Sequence, residues 1–376
     1  MKKPFYQLQQ KRDLIRNFTP NWFTVIMGTG VLALILPEFP FAQAFMWQLG
    51  AALWQINILI FLLFGLLYAS RWLFYTEEAC QIFRHPVMSL FLGAIPMALA
   101  TLMNGLLKFG TVLYGPAVIP LAEMLWYADV ILAVATAWLV PFCMFSRQQH
   151  ELKSMTAVWL LPIVACEVAA VSGAVLLEHL PVQSHAVSIL FGSYVLWGMS
   201  VLPAFAVLSI LVLRLALHQL PSKDMAISSW LALGPIGTGA LALLLLGQQA
   251  QRLLQAVELN ALGVLLQQAG IMGAVILIGF GLWWLGIAVF TTLKHARDGL
   301  PFNLGWWGMT FPLGVFSLSV MNLAAQTGVQ FIATGGYVLA AALALLWMLV
   351  CSKTLRGCYQ GHLFFSPCLK AYLEGH

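Results

Sequence analysis

The sequence predicts an all-α integral membrane protein, with ten transmembrane helices paired into five hairpins whose odd-numbered helices line a central pore. Three observations predict it. The chain is apolar along its whole length, its basic residues gather in every second connection, and a helix breaker recurs inside every odd apolar run.

Hydrophobic residues make up 61% of the chain and charged residues 8%, and the mean hydropathy is +0.89. A water-soluble domain carries about 25% charged residues, whereas repeated apolar runs of about 20 residues belong in hydrocarbon. Divided at its charged and turn-rich stretches, the sequence gives helices over 20–38, 47–72, 86–107, 117–145, 155–177, 184–216, 225–247, 259–292, 304–325 and 331–352. These form a transport domain of residues 20–352, preceded by a cytoplasmic basic segment, 1–19, and followed by a cytoplasmic tail, 353–376.

The connections test that division, because Lys and Arg collect on the cytoplasmic side of a membrane. With the N-terminus inside, the inner segments hold Lys2, Lys3, Lys11, Arg12 and Arg16, then Arg71 and Arg84, Arg147 and Lys153, Arg214 and Lys223, Lys294 and Arg297, and finally Lys353, Arg356 and Lys370. Sixteen of the eighteen basic residues are thereby inside, and only Lys108 and Arg252 are outside. One missed span would scramble this alternation, so both termini are expected in the cytoplasm, with the bilayer a bacterial inner membrane. The formal charge of +5 follows from the inner loops and needs no nucleic-acid partner.

The breakers come next in the argument. Helix one carries Gly28-Thr29-Gly30, helix three Gly93-Ala94-Ile95-Pro96, helix five Leu161-Pro162, helix seven Gly234-Pro235-Ile236-Gly237-Thr238-Gly239, and helix nine Phe311-Pro312-Leu313-Gly314. The even helices keep theirs nearer the ends, as with Pro141 and Pro203. A proline removes a backbone hydrogen bond, and polar backbone freed in lipid must face protein or a wet cavity. Proline and glycine are common in transmembrane helices and also serve close packing. Five breaks in register point further, to odd helices around a central path and even helices outside, a repeat of about 70 residues.

Two stretches carry a resemblance. Phe18-Thr19-Pro20-Asn21-Trp22-Phe23-Thr24-Val25-Ile26-Met27-Gly28-Thr29-Gly30 and Asn303-Leu304-Gly305-Trp306-Trp307-Gly308-Met309-Thr310-Phe311-Pro312-Leu313-Gly314-Val315-Phe316 resemble the first- and ninth-helix signatures of the tellurite-resistance/dicarboxylate transporter family. That family includes tellurite-resistance channels, malate permeases, sulfite exporters and plant slow anion channels. The resemblance extends over essentially the whole chain, His85-Pro86 at the start of helix three included. It implies five hairpins in quasi-fivefold arrangement, a homotrimer with one pore per subunit, and a phenylalanine of helix nine, here Phe311, closing that pore. The substrates implied are small anions such as malate, sulfite, tellurite or a halide. Both a channel and a proton-coupled carrier fit the family.

Few groups are available for chemistry inside the membrane. Intramembrane ionisable residues point to function, and here they are Glu123 and Asp129 in helix four and Glu167 in helix five. No Lys, Arg or His lies near a helix centre. Attraction for an anion then falls to helix dipoles, backbone N–H groups and the hydroxyls of Thr29, Thr238 and Thr310. Pore-lining breaks are expected at Gly28, Gly30, Pro96, Pro162, Pro235, Gly237, Pro312 and Gly314. Glu167, five residues after Pro162, is a candidate for proton coupling or else a carboxyl that locks helix packing. Asp129, on an even helix, reads as structural, and Trp306 and Trp307 read as part of an interfacial belt.

Other functions lack their motifs. The chain has no H-E-x-x-H, G-x-S-x-G or G-x-x-x-x-G-K-[ST], so neither an embedded enzyme nor a nucleotide-driven pump is indicated, and no cofactor is called for. Cys351, Cys358, His362 and Cys368 match no common zinc spacing, and the six cysteines show no paired framework. The basic leader is too long, and the following run too rich in Gly and Thr, for a cleaved signal ending at Ala42-Gln43-Ala44.

Overall fold

The computed structural model describes residues 5, 6, 8, 10 and 12–374; Lys2, Lys3 and Lys11 of the basic leader lie outside the described residues. Ten helical spans among these are long and apolar enough to cross a membrane: α1 Pro20–Glu38, α2 Gln43–Phe74, α3 Met88–Tyr114, α4 Pro116–Arg147, α5 Ala157–Leu177, α6 Ser184–His218, α7 Ala226–Gln255, α8 Asn260–Ala296, α9 Leu304–Thr327 and α10 Gln330–Gln360. A short helix, α11 Pro367–Glu374, follows.

Odd and even helices differ sharply in burial. The apolar stretch of each odd helix is between 72% and 94% buried by protein, and that of each even helix between 22% and 33%. The odd helices are therefore the inner layer and the even helices the outer one. The inner layer closes on itself, since α1 packs against α3, α3 against α5, α5 against α7, α7 against α9, and α9 against α1.

Every inner helix opens with tight 3-10 turns and then relaxes into α-helix. The 3-10 segments are Pro20–Trp22, Met88–Gly93, Ala157–Leu160, Ala226–Ala232 and Leu304–Met309, and the α segments that follow begin at Phe23, Ala94, Leu161, Leu233 and Thr310. The prolines lie inside the apolar spans, where the sequence reading put them, and Pro96, Pro162, Pro235 and Pro312 occupy the second or third position of the α segment that follows each 3-10 opening. Proline is tolerated in the first turn of an α segment, where its fixed φ suits the helix. The prolines mark the junction of two helix types rather than a sharp break.

Each hairpin is tied at the end where its inner helix opens. In the first, Arg71 of α2 donates to the Phe18 carbonyl at 2.8 Å; in the second, Gln148 donates to Phe83 at 2.9 Å; in the third, Arg214 of α6 donates to Lys153 at 2.7 Å. Trp284 of α8 donates to Ser229 at 2.9 Å, and Thr354 of α10 accepts from Trp307 at 3.0 Å. A second set of indoles joins neighbouring hairpins at four of the five steps round the inner layer. Trp54 of α2 donates to Leu102 in α3, Trp126 of α4 to Ala169 in α5, and Trp197 of α6 to Gly239 in α7, at 2.9 to 3.1 Å. Trp347 of α10 donates to Thr29 in α1 at 3.1 Å, which closes the circle. These tryptophans, fully or partly buried, staple the two layers together rather than forming an interfacial belt.

Glycines set the spacing within the inner layer. A Cβ on Gly28 would collide with Thr310, one on Gly30 with Thr101, and one on Gly314 with Val31. On Gly237 it would lie 2.7 Å from the backbone of Phe316. Small residues let helix backbones approach closely where apolar burial gives no net drive between helices in lipid.

Candidate functional site

Two connected cavities run along the middle of the inner layer. The wider, a vestibule of about 310 Å³, is lined by the opening turns of all five inner helices, through Asn21, Met88, Val158, Ser228 and Gly305 among others. The C-terminal segment supplies one wall with His362, Leu363, Phe365 and Pro367. Phe364 stacks on Trp22 at 4.9 Å, and the Ser366 N–H donates to Asn17 at 3.2 Å, which hold that segment across the mouth.

The narrower cavity, about 20 Å³, has room for about one water. It shares Thr24, Leu231 and Gly308 with the vestibule and again takes residues from every inner helix: Met27 of α1, Met97 of α3, Leu161 and Val164 of α5, Gly234 of α7, and Trp307, Phe311 and Pro312 of α9. Its one hydroxyl, that of Thr24, already donates to the Asn21 carbonyl at 2.6 Å. The lining at this point is therefore apolar and without a free donor.

All five inner helices present their N-terminal ends to the vestibule, so they run parallel. Each end carries about half a positive charge. Among the described residues no Lys or Arg lines either cavity; Asp224 and His362 stand on the vestibule wall. Asn303 caps α9, accepting from the Gly305 N–H at 2.8 Å and donating to the Asp224 carbonyl at 3.2 Å. Before α3, His85 accepts from the N–H groups of Val87 and Met88 through Nδ1 at 3.2 and 3.1 Å. Burial pulls the His85 pKa below its usual value, which keeps the imidazole neutral and able to accept.

The residues expected to line the pore divide into three groups. Phe311 and Pro312 border the constriction. Gly28, Gly30, Gly237 and Gly314 instead lie at contacts between inner helices, and Pro96, Pro162 and Pro235 each stand one residue from a lining residue: Met97, Leu161 and Gly234. Two of the three threonines bond elsewhere, because a hydroxyl in a dry layer goes to its nearest partner. Thr29 accepts from Trp347, Thr310 donates to the Trp307 carbonyl at 2.7 Å, and Thr238 is buried with no partner for its hydroxyl. Trp306 and Trp307 are buried rather than interfacial, and Trp307 packs beside Phe311 in the constriction wall.

The carboxyls lie off this axis. Glu167 is fully buried, makes no hydrogen bond, and lies beside Ser200 of α6. That serine donates to the Ile163 carbonyl instead, at 2.8 Å. Asp129 is likewise buried with neither oxygen bonded, whereas Glu123 pairs with His185 at 2.6 Å.

A family model described as voltage-dependent anion channel matches residues 17–355. A sulfite efflux pump of Arthroderma benhamiae is 34% identical over 351 residues, covering 92% of this chain and 93% of the relative. An uncharacterised transporter of Methanocaldococcus jannaschii is 28% identical over 354 residues, covering 94% and 98%. The malic acid transport protein of Schizosaccharomyces pombe is 22% identical over 371 residues, covering 96% and 84%.

Proposed function

This chain belongs to the voltage-dependent anion channel family, and from that premise we propose that it passes small anions through the centre of its inner layer, gated by the Phe311 ring. One observation carries the reading: residues from all five inner helices enclose a vestibule that narrows, at Phe311, to a space for about one water. The closed succession of inner helices and the repeated indole staples support a quasi-fivefold arrangement of hairpins. Assembly as a homotrimer, each subunit with its own path, belongs to the same proposal.

The lining also bears on the substrate. With no Lys or Arg among the described lining residues, an anion's desolvation is offset by helix ends and neutral donors, and in the Born picture a dianion costs about four times as much as a monoanion to desolvate. Sulfite and malate are accordingly proposed to pass as their singly charged forms. Flux of sulfite, malate, tellurite and chloride into proteoliposomes, with and without a pH gradient, tests this. Sulfite and malate flux well above protein-free vesicles, rising with the monoanion fraction, is the expected result; flux of none of the four would overturn the proposal.

A proton-coupled carrier is the second reading, favoured by Glu167, a buried carboxyl with no hydrogen-bond partner. Chloride takes up no proton, so any pH dependence of its flux comes from the protein. Glu167→Gln keeps size and hydrogen-bonding capacity while abolishing titration. If Glu167 couples a proton, the variant's chloride flux loses its pH dependence. An unchanged profile assigns the carboxyl to packing between α5 and α6.

The protein is multi-pass in a membrane, with both termini proposed to face the cytoplasm on the distribution of Lys and Arg. The relatives described above are fungal and archaeal, so the bacterial inner membrane expected from the sequence has no support.

A further inference from the structure

Parallel inner helices give the path a polarity. The mouth opposite the vestibule gathers five C-terminal ends, each with about half a negative charge. Glu38, closing α1, and Glu178, just past α5, add two carboxylates there. An anion crossing this mouth meets repulsion from both sources. Two basic residues stand against it, Lys108 in a π-helical turn of α3 and Arg252 near the end of α7.

Lys108 donates to the Leu34 carbonyl at 3.1 Å and pairs with Glu38. Arg252 donates to the Leu177 carbonyl and, at 2.9 Å, to Gln249. Glu178 is within electrostatic reach of both cations. Satisfying helix-end carbonyls is one role for these residues, yet that role does not require charge. A neutral amide can donate to a helix carbonyl equally well, as Gln326 near the end of α9 does to Leu244 within α7 at 3.2 Å. The positive charges of Lys108 and Arg252 face the negative groups at this end, Lys108 pairing with Glu38 and both cations lying within reach of Glu178.

We propose that Lys108 and Arg252 are specificity-determining residues of the far mouth, offsetting the helix ends and carboxylates there so that a small anion can cross it. The proposal rests on the anion-path reading above. Electrostatic removal of one charge acts on encounter at that mouth alone, while the vestibule end is governed by other groups.

Sulfite flux in proteoliposomes of fixed protein orientation tests it, with the half-saturating concentration measured separately from each side. Lys108→Gln and Arg252→Gln are expected to raise the far-side value by about threefold to tenfold and to leave the vestibule-side value unchanged. Glu178→Gln, which removes a negative charge, is expected to lower the far-side value. These differences should vanish in 1 M impermeant salt, where the Debye length is about 3 Å. Shifts in one direction for all three variants, or equal shifts from both sides, would mean that the residues only brace the helix ends and would overturn the proposal. Glu178→Gln decides the sign even if a Gln variant of either cation fails to insert. Wild-type protein with no sulfite flux at all would remove the anion path itself, and this inference with it.

Discussion

Phe311→Ala is expected to raise anion flux by about tenfold or more while the protein still folds. Phe311 is almost fully buried, and its ring borders the constriction together with residues from the other four inner helices. Passage there is opposed by bulk and by dehydration, because an anion in an apolar neck without free donors keeps neither its water nor a substitute. A reduction of about 1.4 kcal/mol in that barrier is already a factor of ten in rate, and deleting a phenyl ring opens the neck to several waters. The stability cost is expected near the low end of the Phe→Ala range, about 3 kcal/mol, since part of the ring faces a void. Flux and thermal stability measured on the same preparation check both halves. A variant with lowered stability and no added flux would assign Phe311 to ordinary packing.

Gly93→Ala is expected to have the largest effect on folding. The added methyl would collide with the carbonyl oxygen of Leu161 and lie 2.9 Å from the Pro162 Cα, backbone atoms that no rotamer change can move. These atoms belong to the α3–α5 contact, one of five that close the inner layer, so relief would require the two helices to part. Overpacking of this kind costs about 1–3 kcal/mol or more, and detergent-solubilised yield and melting temperature should fall together. Gly65→Ala in α2, where nothing lies within 4 Å of the new methyl, should match the parent protein. Equal behaviour of the two variants would contradict a close-packed inner layer.

The sequence carried the number of spans and the distinction between odd and even helices, because both follow from what lipid demands of a chain: long apolar runs and charge confined to loops. It also carried a register that went unread. Met27 precedes Gly28, Leu161 precedes Pro162, Gly234 precedes Pro235, Phe311 precedes Pro312, and Met97 follows Pro96; all five flanking residues line the constriction. The breaker marks the level of the neck, and its neighbour lines it in all five helices; of the prolines only Pro312 also does so. What the sequence did not carry is the direction of short polar side chains. Thr29 bonds an indole of α10, a helix more than 300 positions away in the chain, and no local pattern encodes that partner. Glu167 illustrates the same limit, since its spacing from Pro162 suggested the path while its helix face turns it toward α6. Trp54, Trp126, Trp197 and Trp347 show the same limit, because only the fold brings their indole N–H groups to neighbouring hairpins.

The central claim is that anions cross between the five inner helices, past Phe311, and Thr24 offers the most direct test because it borders both the vestibule and the neck. In a Phe311→Ala background, Thr24→Cys can be exposed to a sulfonate-bearing thiosulfonate reagent, with the Phe311→Ala protein alone as control for the native cysteines. Modification adds a bulky negative charge at the junction of the two cavities. The account predicts that flux through the Thr24→Cys protein collapses on modification, that permeant malate, which does not react with the reagent, slows the reaction, and that the control is unaffected. Stoichiometric modification that leaves anion flux unchanged would contradict it and place the path elsewhere in the molecule.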